Sequence, residues 1–104
     1  MHIERSSNHA ALLLVFALAS ASPAAAKSCR QVMEVKSTSR IGVTEAAREK
    51  RATANAVAKW RDTARDRYGV LYRFWSRADD RTTSCRNTAK QTTCTATAVP
   101  CRVL

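Results

Sequence analysis

The sequence predicts a small disulfide-stapled α+β domain, a β-α-β-β layer in which one long helix packs on a small antiparallel sheet. Three observations predict it: a helical stripe across residues 44–68, two strand-like runs after it, and four cysteines, Cys29, Cys85, Cys94 and Cys101, that bracket the whole arrangement. The chain has 104 residues, which limits it to one such domain and excludes a two-domain enzyme.

Residues 10–21 (AALLLVFALASA) are apolar over about 12 positions, too short to cross a bilayer but the length of a signal core. Ser22-Pro23 breaks the run and Ala24-Ala25-Ala26 supplies a cleavage signal. Residues 1–26 therefore read as a signal peptide and residues 27–104 as the mature domain, periplasmic or secreted, with no transmembrane segment after cleavage. All four cysteines fall in the mature part, as expected for two disulfides in an oxidising compartment. No C-x-x-C occurs, so zinc is not expected.

Residues 28–36 read as the first strand, with Val32, Met33 and Val35 apolar, and residues 37–42 (STSRIG) as a connection. Thr44 is the expected helix N-cap. Glu45 and Glu49 stand in the early turns, Arg65 and Arg67 in the last, and Gly69 is the stop. Ala46, Thr53, Val57, Trp60, Ala64 and Tyr68 recur at three- and four-residue steps, one stripe on a helix of about 24 residues. Its small residues suit close packing on a flat sheet.

Residues 70–77 (VLYRFWSR) read as the next strand, residues 78–81 as a turn, 88–91 as a second loop and 92–99 as the last strand. A turn centred on Asp79-Asp80 places Phe74 opposite Cys85, and the loop at 88–91 then brings Cys85 opposite Cys94, within disulfide reach, leaving Cys29 for Cys101. The pairing Cys29 with Cys85 and Cys94 with Cys101 stays open at the sequence level, since four cysteines allow three connectivities. The same register sends Val70, Tyr72, Phe74, Cys85, Cys94, Ala96 and Ala98 under the helix. It sends Leu71, Arg73, Trp75, Arg77, Ser84, Arg86, Thr93, Thr95 and Thr97 to an open face.

The charge is +10, and Arg5 and Glu4 cancel within the signal, so the mature domain keeps it. That balance concerns partners, not fold. Both histidines, His2 and His9, lie in the signal, leaving no imidazole for acid–base work or metal ligation. No nucleophile–base pair, phosphate loop or dinucleotide fingerprint is present, Gly42 and Gly69 being the only glycines. Asp79-Asp80 reads as a turn. An enzyme is not expected, nor a cofactor.

The open face offers Arg73, Trp75, Arg77 and Arg86, three guanidiniums that bind anions bidentately and one indole that stacks on a sugar. These are the candidate binding residues for an anionic partner: an envelope glycan, a lipid headgroup or an acidic protein. The helix cations Arg48 to Arg51, Lys59, Arg61, Arg65 and Arg67 are interrupted by Asp62 and Asp66 and read as a solvated face. No motif supports specific nucleic-acid binding.

The helix ending near Trp60, then Tyr68-Gly69, Tyr72, Trp75, Cys85, Cys94 and Pro100-Cys101, resembles small exported bacterial proteins of unknown function, which implies compartment and fold only. The β-α-β-β order and the segment Glu34-Val35-Lys36-Ser37-Thr38-Ser39 are also similar to dodecins, self-assembling shells that bind flavin. That resemblance implies a homo-oligomer burying the open face between subunits. In that family a strand tryptophan stacks on the flavin, a role for which Trp75 would be the only candidate; the usual glycine after the first strand is replaced by Lys36-Ser37, and the resemblance implies the fold without the flavin.

Overall fold

The computed structural model describes residues 26–104. The expected signal peptide lies outside the described residues, apart from Ala26. The domain is α+β: strands β1 (Lys27–Cys29) and β2 (Met33–Ser39), helix α1 (Glu45–Tyr68), then β3 (Asp79–Asn87), β4 (Thr92–Val99) and β5 (Cys101–Val103). The main antiparallel sheet has the order β2-β4-β3, and β1 pairs with β5 in a separate two-stranded ribbon. What the sequence suggests as one N-terminal strand is thus two, and β2 runs on through residues expected to be connection. The exposed Gln31-Val32 separates them, so that one chain can serve both sheets.

Helix α1 begins where its chemistry dictates. The Thr44 hydroxyl accepts the Ala47 amide at 3.1 Å, and the Gly69 amide donates to the Arg65 carbonyl at 2.9 Å. Its buried side follows a strict four-residue step, Arg48, Ala52, Ala56, Trp60 and Ala64. This corrects the stripe expected from sequence. Trp60 and Ala64 belong to it, Thr53, Val57 and Tyr68 flank it half-buried, and Ala46 is exposed. Every position but two on that row is alanine, so α1 lies close on β4, whose Cys94, Ala96 and Ala98 are fully buried beneath it. Trp60 fills the remaining volume, worth about 1.5–3 kcal/mol for a large apolar side chain.

The main correction lies between α1 and β3. Residues 70–77 form no strand; they make two single 3-10 turns, Val70–Tyr72 and Trp75–Arg77. Gly69, at φ 108°, redirects the chain. The two turns, joined through the extended Phe74, bring Tyr72, Trp75 and Ala78 to the inner side, Tyr72 and Ala78 buried and Trp75 half-buried. Val70, expected under the helix, is exposed, and Phe74 is half-buried. The expected turn at residues 78–81 is instead the start of β3, irregular between Asp79 and Thr82 with Asp80 at φ 53°.

The later register stands as read. Cys85 faces Cys94, and the disulfides are Cys85–Cys94 and Cys29–Cys101. The first ties the two hairpin strands, and the second staples the ribbon that joins the two ends of the domain.

Candidate functional site

The face of the main sheet away from α1 is open, as the period-two pattern requires. Its rows read Thr38-Thr93-Arg86, Lys36-Thr95-Ser84 and Glu34-Thr97-Thr82 across β2, β4 and β3. Of the four candidate binding residues, only Arg86 lies there. Trp75 stands on the helix side with its ring 5.1 Å from Trp60 at 81°, an edge-to-face contact inside the core rim. Arg77 is stacked over Phe74 at 4.5 Å, and Arg73 caps the first 3-10 turn. The cause is the missing strand: without it, period-two alternation never applied to residues 70–77. The open face is consequently a hydroxyl surface. Lys36, Ser84, Arg86, Thr93 and Thr95 line a shallow depression, and Glu34 offsets one of its two cations.

A basic surface lies at the end of the sheet where β2 leaves for α1 and where β3 turns into β4. Arg40 and Lys90 line one depression with Thr88, Ala89 and Gln91. Arg40 and Arg51 line a second with Ile41 and Asn55, and Arg51 and Lys50 line a third. No acidic residue lines any of the three, and none of these four cations is in a salt bridge among the described residues. Arg40 is oriented by donating from Nε to Gln91 Oε1 at 3.1 Å. The sequence holds a signal for this cluster: Arg40 follows the first strand, Lys90 sits in the last loop, and Lys50-Arg51 lies in the first turns of the helix. A β-α-β-β layer brings those three places to one end.

Beneath this surface is a buried polar chain. Arg48, nearly fully buried, donates from Nε to Thr92 Oγ1 at 3.3 Å and from Nη1 to the Gly42 carbonyl at 3.5 Å. Thr92 donates on to Asn87 Oδ1, and Asn87 Nδ2 donates to Glu49 Oε2 at 2.9 Å. The chain links β4, the hairpin and the first turns of α1, and it holds the loop bearing Arg40 against the loop bearing Lys90.

At the opposite end, the ribbon supplies a second cluster. Arg30 lies 5.5 Å from the Tyr68 ring and 5.2 Å from the Tyr72 ring, and Arg102 lies 6.0 Å from the latter. The Tyr72 hydroxyl bonds Ser28 Oγ at 3.1 Å. That hydrogen bond, with Arg30 and Arg102 nearby, holds the phenol below its ordinary value, against the opposing effect of desolvation.

Cys29, Asp79 and Cys101 place donor-type atoms within 4.8 Å of one another. Both sulfurs are engaged in the disulfide, and Asp79 holds the Lys27 ammonium at 2.7 Å, so this set is a staple beside an ion pair. Among the described residues no helix is long and apolar enough to cross a membrane. Comparison with known proteins finds no matching family model, no matching curated protein and no matching solved structure.

Proposed function

We propose that this is an exported, non-catalytic binding module for an anionic partner. The observation that supports it is the continuous row Lys90, Arg40, Arg51 and Lys50 across three adjoining depressions lined by no carboxylate. Clustered cations without a salt-bridged carboxylate among the described residues attract a polyanion, and arginine adds bidentate geometry toward phosphate, sulfate or carboxylate. The two disulfides fit an oxidising compartment, which supports export. In this reading the contact is moved from the open sheet face, where Arg86 alone of the expected residues stands, to the loop end of the domain.

The test is retention of the oxidised protein on a sulfated polysaccharide matrix and on vesicles of anionic phospholipid across a salt series. Retention is expected to fall as salt rises, and more steeply for the native chain than for Arg40→Ala with Arg51→Ala. Arg86→Ala is expected to leave it nearly unchanged. Retention that survives high salt, or that the double replacement leaves intact, sinks the reading.

A further inference from the structure

The main sheet ends in two edges, and they are built differently. The β3 edge is interrupted at its start: it is irregular between Asp79 and Thr82, with Asp80 in the left-handed region, features that bend this part of the edge away from further pairing, and it is regular only from Thr82 to Asn87. The β2 edge is regular over Met33–Ser39, pairs with β4 without a bulge and has no proline. One exposed ammonium engages it, Lys59 Nζ donating to the Lys36 carbonyl at 3.2 Å. Such an edge is a template for another strand.

The side chains of β2 say which strand. Its burial alternates, so Glu34, Lys36 and Thr38 share the open face while Met33, Val35, Ser37 and Ser39 face α1. In an antiparallel pairing of β2 with a second β2 about a two-fold axis at Val35, Glu34 faces the mate's Lys36 and Lys36 faces the mate's Glu34. Val35 meets its own copy, and Val32, 61% exposed in the single chain, meets the β-branched Thr38 of the mate. Moving the axis by one residue either way puts Glu34 against Glu34 or Lys36 against Lys36, so charge favours the Val35 axis over both neighbouring registers. The geometry closes on the other layer too. Each α1 lies over the β2–β4 pair, so the two helices stand about two strand spacings apart, roughly 10 Å, an ordinary packing distance for helices.

We propose that the partner of the β2 edge is a second copy of this chain, joined by antiparallel β2–β2 pairing with reciprocal Glu34–Lys36 ion pairs into a six-stranded sheet with both helices on one face. Lys59 releases the Lys36 carbonyl to the incoming strand. The proposal is independent of the anion reading, since Lys90, Arg40, Arg51 and Lys50 lie outside the seam.

Sedimentation of the oxidised exported protein over a concentration series up to millimolar tests it, with thermal melts to show that each variant is folded; Glu34 and Lys36 are exposed, so neither replacement disturbs the core. The native chain is expected to dimerise. Glu34→Lys and Lys36→Glu are each expected to weaken the dimer roughly 30-fold, two attractive cross-strand pairs becoming repulsive. The double replacement is expected to restore it. Lys36→Glu is the decisive variant, because it lowers the overall positive charge and would tighten any association limited by net repulsion. A native chain that stays monomeric, a dimer that either single reversal leaves intact, or a double reversal that stays monomeric overturns the proposal.

Discussion

Tyr72 shows how one residue's environment is set by elements far apart in the chain. Its ring is buried by the turn after α1, while its hydroxyl meets Ser28 on β1 and lies near Arg30 and Arg102. The lowered phenol has a definite linkage consequence. In the window between the folded value and the ordinary tyrosine value near 10, the unfolded chain holds the proton and the folded one does not. This group's contribution to stability is therefore present above the ordinary value and is lost as pH falls through the folded one. A tyrosinate absorbance titration is expected to show a phenol ionising below the usual range, and Ser28→Ala is expected to move it back up; an unchanged curve would contradict the assigned cause. Arg48 shows the opposite case, since its burial is invisible in a sequence where it reads as one more cation of a charged run. Only the meeting of Thr92, Gly42 and the helix start makes a polar site for it.

Among the elements, α1, β4 and the Cys85–Cys94 hairpin were legible because their signals are local: a cap and a stop, an alternating threonine run, and a short cysteine spacing. The segment after Gly69 was not. Its aromatic and β-branched composition favours a strand, yet after Gly69 the chain folds into two short 3-10 turns that bring Tyr72 and Trp75 back against the core, where the Trp75 ring meets Trp60. Trp75→Ala accordingly belongs with stability rather than binding. Removing a half-buried indole packed on Trp60 is expected to cost about 2–3 kcal/mol in a denaturant melt and to leave polyanion retention of the folded fraction unchanged. A loss of retention at unchanged stability would return Trp75 to the binding surface.

On the scale of the molecule, the small core makes the covalent ties decisive. Alanines dominate the buried surface, and a domain this size draws only a few kcal/mol from burial alone. In the loop-entropy picture the Cys29–Cys101 bond, spanning 72 residues, stabilises by about 4.4 kcal/mol, and Cys85–Cys94, spanning 9, by about 2.6 kcal/mol. Replacing the first pair by alanine is thus expected to lower stability more than replacing the second, by about 2 kcal/mol in the same melt. Equal losses would show that strain or residual unfolded structure sets the balance instead. The proposed β2–β2 dimer belongs to this scale too: a second copy covers the β2 edge and sets two helices side by side, adding burial the single domain lacks.

What the sequence by itself determined is whatever depends on neighbours along the chain: the α+β class, the span and caps of α1, the partner strands β3 and β4 from the cysteines onward, and the net positive charge. What only the tertiary structure decided is whatever depends on which ends meet. Trp75 and Arg77 left the open face because the chain after Gly69 had to close the core. Arg40, Lys50, Arg51 and Lys90 became one surface because the sheet order β2-β4-β3 carries three distant segments to one end. A local pattern fixes the direction of a side chain relative to its own element, whereas a surface is shared by elements whose proximity is set by packing and by the two disulfides.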